Sequence, residues 1–251
     1  MTTSTEESLW ARCFHPAPAA PVRLFCFPHA GGSASFYFPV SAQLSSVAEV
    51  FAIQYPGRQD RRKEAGVSDL ATLADQVYDA LRPLLKERPS TFFGHSMGAT
   101  LAFEVARRFE ADGGDLVRLF ASGRRAPSRV RDEAVHRRSD DGIVEELKLL
   151  AGTNTALLGD EEILRMILPA IRSDYQAIET YRCPPDVTVR APLTVLTGDR
   201  DPKTSLDEAE AWRGHTTGDF DLKVLPGGHF FVSSEAPAII ELLRAHLSAN
   251  G

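Results

Sequence analysis

Residues 91–109 read TFFGHSMGATLAFEVARRF. Thr91–Phe93 is a short β-branched and aromatic run, which predicts a strand entering a glycine. From Gly98 to Phe109 the apolar residues Leu101, Val105 and Phe109 recur at helical spacing. Between them stands Gly94-His95-Ser96-Met97-Gly98, a G-x-S-x-G. Chance would supply roughly 0.09 copies in a chain this long, so the motif alone is only suggestive. Its setting adds weight, because a strand, a sharp turn holding serine and a helix together make a nucleophile elbow. The glycines have a steric reason: side chains two residues either side of such a turn collide with the adjacent elements.

Outward from this stretch, short apolar runs alternate with amphipathic ones. Val22–Phe27 (VRLFCF), Ala48–Ile53 (AEVFAI), Val117–Ala121, Leu193–Thr197 (LTVLT) and Leu222–Leu225 (LKVL) read as strands. Asp69–Lys86 carries Leu70, Leu73, Val77, Leu81, Leu84 and Leu85 on one helical face, with Pro83 as an irregularity near its end. Ala236–Leu247 closes the chain as a helix with Ile239, Ile240, Leu243 and Leu247 inward. Strands alternating with helices imply parallel pairing through right-handed crossovers. The expected class is therefore α/β, a mostly parallel sheet flanked by helices.

One stretch breaks the alternation. Residues 127–185 hold helical patterns through Ile143, Leu147 and Leu150, and through Ile163, Ile167, Ile171 and Tyr175 with Pro169 between them. They lie between two strands, so they read as an insertion on the sheet. It reads as a small helical subdomain and, functionally, as a lid over a site, and the two are compatible. The division expected is a core of residues 1–126 and 186–251 carrying a helical lid at 127–185.

Composition bounds the function. The chain has 251 residues, 43% hydrophobic and 25% charged, with a net charge of −6, which fits one globular domain and excludes a disordered tail or a disulfide scaffold. An acidic chain without a basic face is a poor nucleic-acid binder. Cys13, Cys26 and Cys183 form no CxxC pair and read as free thiols in a reducing compartment. Glu6, Glu7 and Arg12 occupy the place of a signal-peptide core, and no apolar run approaches the ~18 residues of a membrane span. A cytoplasmic, monomeric protein is expected, with no membrane or nucleic-acid partner.

A serine hydroxyl needs an adjacent base. Where the acid and base follow the serine along the chain, His215, His229 and His246 are late enough. His246 lies on the terminal helix and His215 in a polar loop with no strand just before it. His229 follows a strand and two glycines (KVLPGGHFF), which puts it at the carboxyl edge of the sheet, where Ser96 projects. The orienting acid should come from the loop after Leu193–Thr197, and both Asp199 and Asp201 are there. Asp201 is favoured, because Asp199 is one step from the strand end and can serve the turn. Two N–H donors complete an acyl-transfer site, one from Met97 after the nucleophile and one from Ala30 in the Pro28–Ser33 loop. His29 and His95 belong to no metal-ligand pattern and read as structural, so no metal is expected.

FPHAGGS (27–33), YPGR (55–58), FFGHSMGA (92–99), TGDRDP (197–202) and LPGGHFF (225–231) occur in order along nearly the whole chain. In these motifs the sequence resembles the type II thioesterases, α/β-hydrolases that accompany modular polyketide synthases and non-ribosomal peptide synthetases. GHSMG and PGGHF are also shared with integrated thioesterase domains and with stand-alone medium-chain thioesterases. The resemblance implies an α/β-hydrolase fold and hydrolysis of stalled or aberrant acyl groups from a carrier's phosphopantetheine arm. By position it implies a triad of Ser96, His229 and Asp201, an oxyanion hole of the Ala30 and Met97 N–H groups, and no cofactor of the enzyme's own. The YPGR loop matches too, but spacing supplies no chemical role for it.

No carrier-type Asp-Ser-Leu occurs, so an acyl or peptidyl carrier met in trans is the expected partner. Two basic groups stand out against the acidic total: Arg58, Arg61, Arg62 and Lys63, and six arginines between Phe120 and Arg138. Arg58, Arg124 and Arg125 are the expected contacts for an acidic carrier and the pantetheine phosphate, the alternative being a solvated face. Rival readings are a chain-releasing or cyclising thioesterase, a small-molecule esterase of the same fold, and a non-catalytic binding protein.

Overall fold

A computed structural model describes residues 9–151 and 161–250. Seven strands form one sheet: β1 (Ala11–Arg12), β2 (Val22–Phe27), β3 (Ala48–Ile53), β4 (Ser90–His95), β5 (Arg118–Ser122), β6 (Leu193–Gly198) and β7 (Phe220–Leu225). Their spatial order is β1-β3-β2-β4-β5-β6-β7. Every pairing is parallel except β1 with β3, where Ala11 faces Ile53. β1 is too short to leave a periodic signal, which is why the sequence gives no hint of it. The helices are α1 (Phe38–Leu44), α2 (Leu70–Leu85), α3 (Met97–Ala111), α4 (Asp140–Ala151), α5 (Glu161–Thr180), α6 (Leu206–Glu210), α7 (Phe231–Ser234) and α8 (Ala236–Ala249).

β2, β3, β4 and β6 are buried at every residue, as parallel strands covered on both faces must be. Alternation along β2 divides the core. Phe25 and Phe27 join the layer containing Leu73 and Val77 of α2 and Leu101 and Val105 of α3. Leu24 and Cys26 point the other way, into the layer containing Ile239, Ile240 and Leu243 of α8. The Asp69 side chain caps α2 by accepting the Thr72 N–H at 2.7 Å. Pro83 leaves α2 intact to Leu85.

Between β5 and β6 the chain carries α4 and α5. Val135, Ile143, Val144, Leu168, Ile171 and Tyr175 form a small apolar cluster of their own there. Ile163 lies outside the residues whose side chains are described, as do Glu6 and Glu7. Pro169 does not end α5, which continues to Thr180. One missing rung is outweighed by burial of Leu168, Ala170, Ile171 and Tyr175 around it. The three cysteines are free thiols. Among the described residues no helix is long and apolar enough to cross a membrane, and no cluster of His, Cys, Asp or Glu could hold a metal ion.

Candidate active site

β4 delivers Ser96 to a turn so tight that its backbone takes φ 56° and ψ −121°. A non-glycine residue there is strained by about 1–3 kcal/mol, and its neighbours explain how the turn persists. A Cβ on Gly94 would lie 2.2 Å from the Gly98 carbonyl oxygen, and one on Gly98 would lie 2.0 Å from that of Phe27. Only glycine allows α3 to start this close to β4 and β2. The Ser96 N–H donates to the Ser122 carbonyl at 2.8 Å, tying the turn to the end of β5.

Opposite the serine stands His229. Its Nε2 is 3.0 Å from Ser96 Oγ, and its Nδ1 is 3.1 and 3.0 Å from the two Asp201 carboxylate oxygens. A carboxylate accepts only, so the Nδ1 proton faces Asp201 and Nε2 is left to accept from the serine hydroxyl. Asp201 Oδ1 also accepts the Lys203 N–H at 2.8 Å. Of the two aspartates, Asp201 reaches the imidazole. Asp199 is exposed and instead accepts the Gly227 N–H.

The remaining histidines are committed elsewhere. His215 is buried, with Nδ1 2.7 Å from the Val187 carbonyl and Nε2 2.7 Å from Ser128 Oγ. His246 packs its ring edge-on to Phe120 with Nε2 3.2 Å from Thr91 Oγ1. His29 and His95 do lie beside His229, and burial pushes His29 down to about 3 and His95 well below the usual imidazole range. Both are thereby neutral and poor proton acceptors.

Ala30 and Met97 line the same cavity as Ser96 and His229. As the first residue of α3, Met97 has no carbonyl one turn back to receive its N–H. Leu147, Leu150, Tyr175 and Ile178 from α4 and α5 supply an apolar wall. A charged wall faces them. Glu133 accepts from Arg125 at 2.6 Å and from Lys203 at 2.8 Å, and Lys203 also pairs with Glu146. Glu179 accepts the Val135 and His136 N–H groups at 2.8 and 3.1 Å. Arg124 lines this cavity with its guanidinium in no hydrogen bond or ion pair among the described residues, and burial together with the Arg125 charge pushes it down to about 9.

The expected carrier contacts need correction. Arg58 and Arg125 are only 3% and 2% exposed. Arg58 makes two bonds to Asp174, at 2.8 and 2.9 Å, and Arg125 pairs with Glu133. Arg61 is also buried, over the Trp10 ring at 4.0 Å. Strand-end loops here are covered by further chain, so cations that follow strands are sealed against internal carboxylates rather than offered to a partner. Arg124 differs from these: it is partly exposed and lines both the cavity of Ser96 and a second pocket with Arg129, Val130 and Arg131. The sequence reading missed Asp174 altogether. It lies with Ile171, Tyr175 and Ile178 on the apolar stripe of α5, and an acid at such a position is a signal that something basic meets it.

The thioesterase domain family model matches residues 22–247. The chain belongs to this family. It is 60% identical over 238 residues to the probable cadicidin biosynthesis thioesterase of Streptomyces griseus, covering 95% of this chain and 66% of that protein, a little under two thirds of its length. It is 46% identical to thioesterase PikA5 of Streptomyces venezuelae over 97% of this chain and 87% of that one. The solved structure of the type II thioesterase BorB from the borrelidin biosynthetic cluster superimposes with a TM-score of 0.91 at 50% identity, covering 95% of this chain and 98% of that one. The fold is the α/β-hydrolase fold of the type II thioesterases.

Proposed function

We propose that this protein hydrolyses acyl thioesters carried on the phosphopantetheine arm of a separate carrier protein, clearing stalled or aberrant acyl units from a polyketide or non-ribosomal peptide assembly line. The observation that carries the reading is the hydrogen-bonded chain from Ser96 through His229 to Asp201, at a strained turn and beside two candidate oxyanion donors. Membership of the thioesterase family and the biosynthetic thioesterases it is similar to support the substrate class.

In the first step His229 Nε2 takes the Ser96 proton as Oγ bonds to the thioester carbonyl carbon. The carbonyl oxygen becomes an oxyanion held by the Ala30 and Met97 N–H groups, each worth about 3 kcal/mol in such sites. Asp201 stabilises the imidazolium without taking its proton. The carbon–sulfur bond then breaks, and the imidazolium protonates the departing thiol. In the second step water, deprotonated by His229, attacks the acyl-serine and releases the free acid and the serine. α4 and α5 act as a lid, since they supply the apolar wall against which an acyl group would lie.

Hydrolysis of acyl-pantetheine and acyl-carrier, compared with oxygen esters of the same acid, tests the reading. The expected outcome is faster thioester turnover, loss of activity by at least about 10⁴-fold in Ser96→Ala, and phosphonate labelling at Ser96. An alanine variant retaining most of its activity would refute the mechanism.

A further inference from the structure

The Arg58–Asp174 pair is a strongly buried ion pair that joins α5 to the YPGR loop and, through its further bonds, to the loop bearing Ala30. Both side chains are almost wholly enclosed, 4% and 2% exposed. Their bonds reach beyond each other. Asp174 Oδ2 accepts the Gly31 N–H at 2.8 Å, and Arg58 Nη1 donates to the Gly32 carbonyl at 3.1 Å. Arg58 Nε donates to the Pro56 carbonyl at 3.1 Å, and its guanidinium lies 5.1 Å from the Tyr55 ring centre. The Tyr55 hydroxyl in turn donates to the Pro28 carbonyl at 3.0 Å.

These bonds bracket one peptide group. The Ala30 N–H belongs to the His29–Ala30 peptide. The peptide before it is held by Tyr55 through the Pro28 carbonyl, and the peptide after it by Asp174 through the Gly31 N–H. With both neighbours fixed, the direction of the Ala30 N–H has little freedom left. α5 also presses on the loop directly. A Cβ on Gly31, at φ 75°, would stand 2.8 Å from Ile171 Cγ1. The YPGR loop, for which sequence spacing gave no role, is thus the back support of the Ala30 loop.

Resting on the thioesterase reading above, we propose that Asp174 and Arg58 are positioning residues that aim the Ala30 N–H at the developing oxyanion. A formed oxyanion hole then requires α5 to stay packed on the Ala30 loop. Neither residue is placed to touch the reacting atoms. Their effect is expected in transition-state stabilisation, and not in substrate affinity.

The test compares wild type with Asp174→Asn, and with a double variant, Arg58→Met with Asp174→Leu. The double variant removes both charges together and leaves no buried ion alone, so it serves as the second test if the single change unfolds the protein. For each folded variant, kcat and KM are measured on acyl-pantetheine, together with affinity for an acyl trifluoromethyl ketone that forms a tetrahedral adduct on Ser96. We expect kcat to fall about 10²-fold with KM within about twofold, and adduct affinity to fall in parallel with kcat/KM. Wild-type kcat in the double variant, a loss confined to KM, or unchanged adduct affinity would overturn the proposal. Failure of the wild type to cleave thioesters would refute the substrate reading alone, because adduct affinity still reads the aim of the Ala30 N–H.

Discussion

The Asp199 carboxylate accepts a hydrogen bond from the Gly227 backbone N–H at 2.8 Å. Two residues beyond each partner stand Asp201 and His229, so this bond ties the loop that carries the acid to the loop that carries the base. Backbone bonds from Asp199 N–H to Leu225 and from Arg200 N–H to Gly227, both 2.9 Å, run beside it. The bond from Gly227 holds the Asp199 carboxyl below its ordinary range. The two neighbouring aspartates therefore have separable roles.

Their substitutions should differ accordingly. Asp201→Asn lets the imidazole take the wrong tautomer, and kcat should fall by about 10⁴-fold. Asp199→Asn leaves the parallel backbone bonds in place and should cost less than about tenfold. Steady-state kinetics of the two variants check this, and equal losses would contradict the assignment.

Gly98 faces the backbone of β2, which cannot move without disturbing its pairing with β3 and β4. Gly98→Ala should destabilise the protein by more than about 4 kcal/mol or prevent folding. Urea unfolding measures it, and a stable, active variant would show that the close approach is not required.

Burial alone would raise the Glu133 carboxyl, but the bonds from Lys203 and Arg125 outweigh burial and bring it down to about 2. A folded value below the unfolded one means stability that is complete above about pH 4.3 and lost as pH falls toward 2. Glu133→Gln should therefore be less stable than wild type near neutral pH, by about 1–2 kcal/mol once solvent screening of the partly exposed pair is allowed for, with the gap closing across that acid window. Unfolding curves between pH 7 and 2 give the comparison, and a gap that persists unchanged to pH 2 would rule the linkage out.

Arg124 lines the cavity of Ser96 without a protein partner among the described residues. Arg124→Met should raise KM by about tenfold, and by the same factor for acyl-pantetheine and acyl-carrier. A loss restricted to the acyl-carrier would return Arg124 to the carrier-docking role expected from sequence.

How far each feature could be read depended on the range of the interaction behind it. Six of the seven strands among the described residues, the long helices α2 and α3 and the elbow at Ser96 are local matters of periodicity and glycine spacing, and short stretches of sequence announce each of them directly. β1 escaped because two residues carry no period. Asp201 was favoured over Asp199 on turn chemistry, a local argument, and Asp201 is the one that faces His229. Arg58 and Arg125 are buried against the expectation, because charge in a sequence does not say where its counter-charge will stand.

By itself, the sequence determined the alternating α/β order, the nucleophile turn and the short list of acids and bases, since each follows from neighbours a few residues apart. Only the tertiary structure decided that Arg58 belongs to Asp174, 116 positions away, and Arg125 to Glu133. A buried guanidinium is stable only where folding brings a carboxylate to it. The Arg58–Asp174 meeting depends on how α5 packs against the Ala30 and YPGR loops, and no local pattern of residues encodes it.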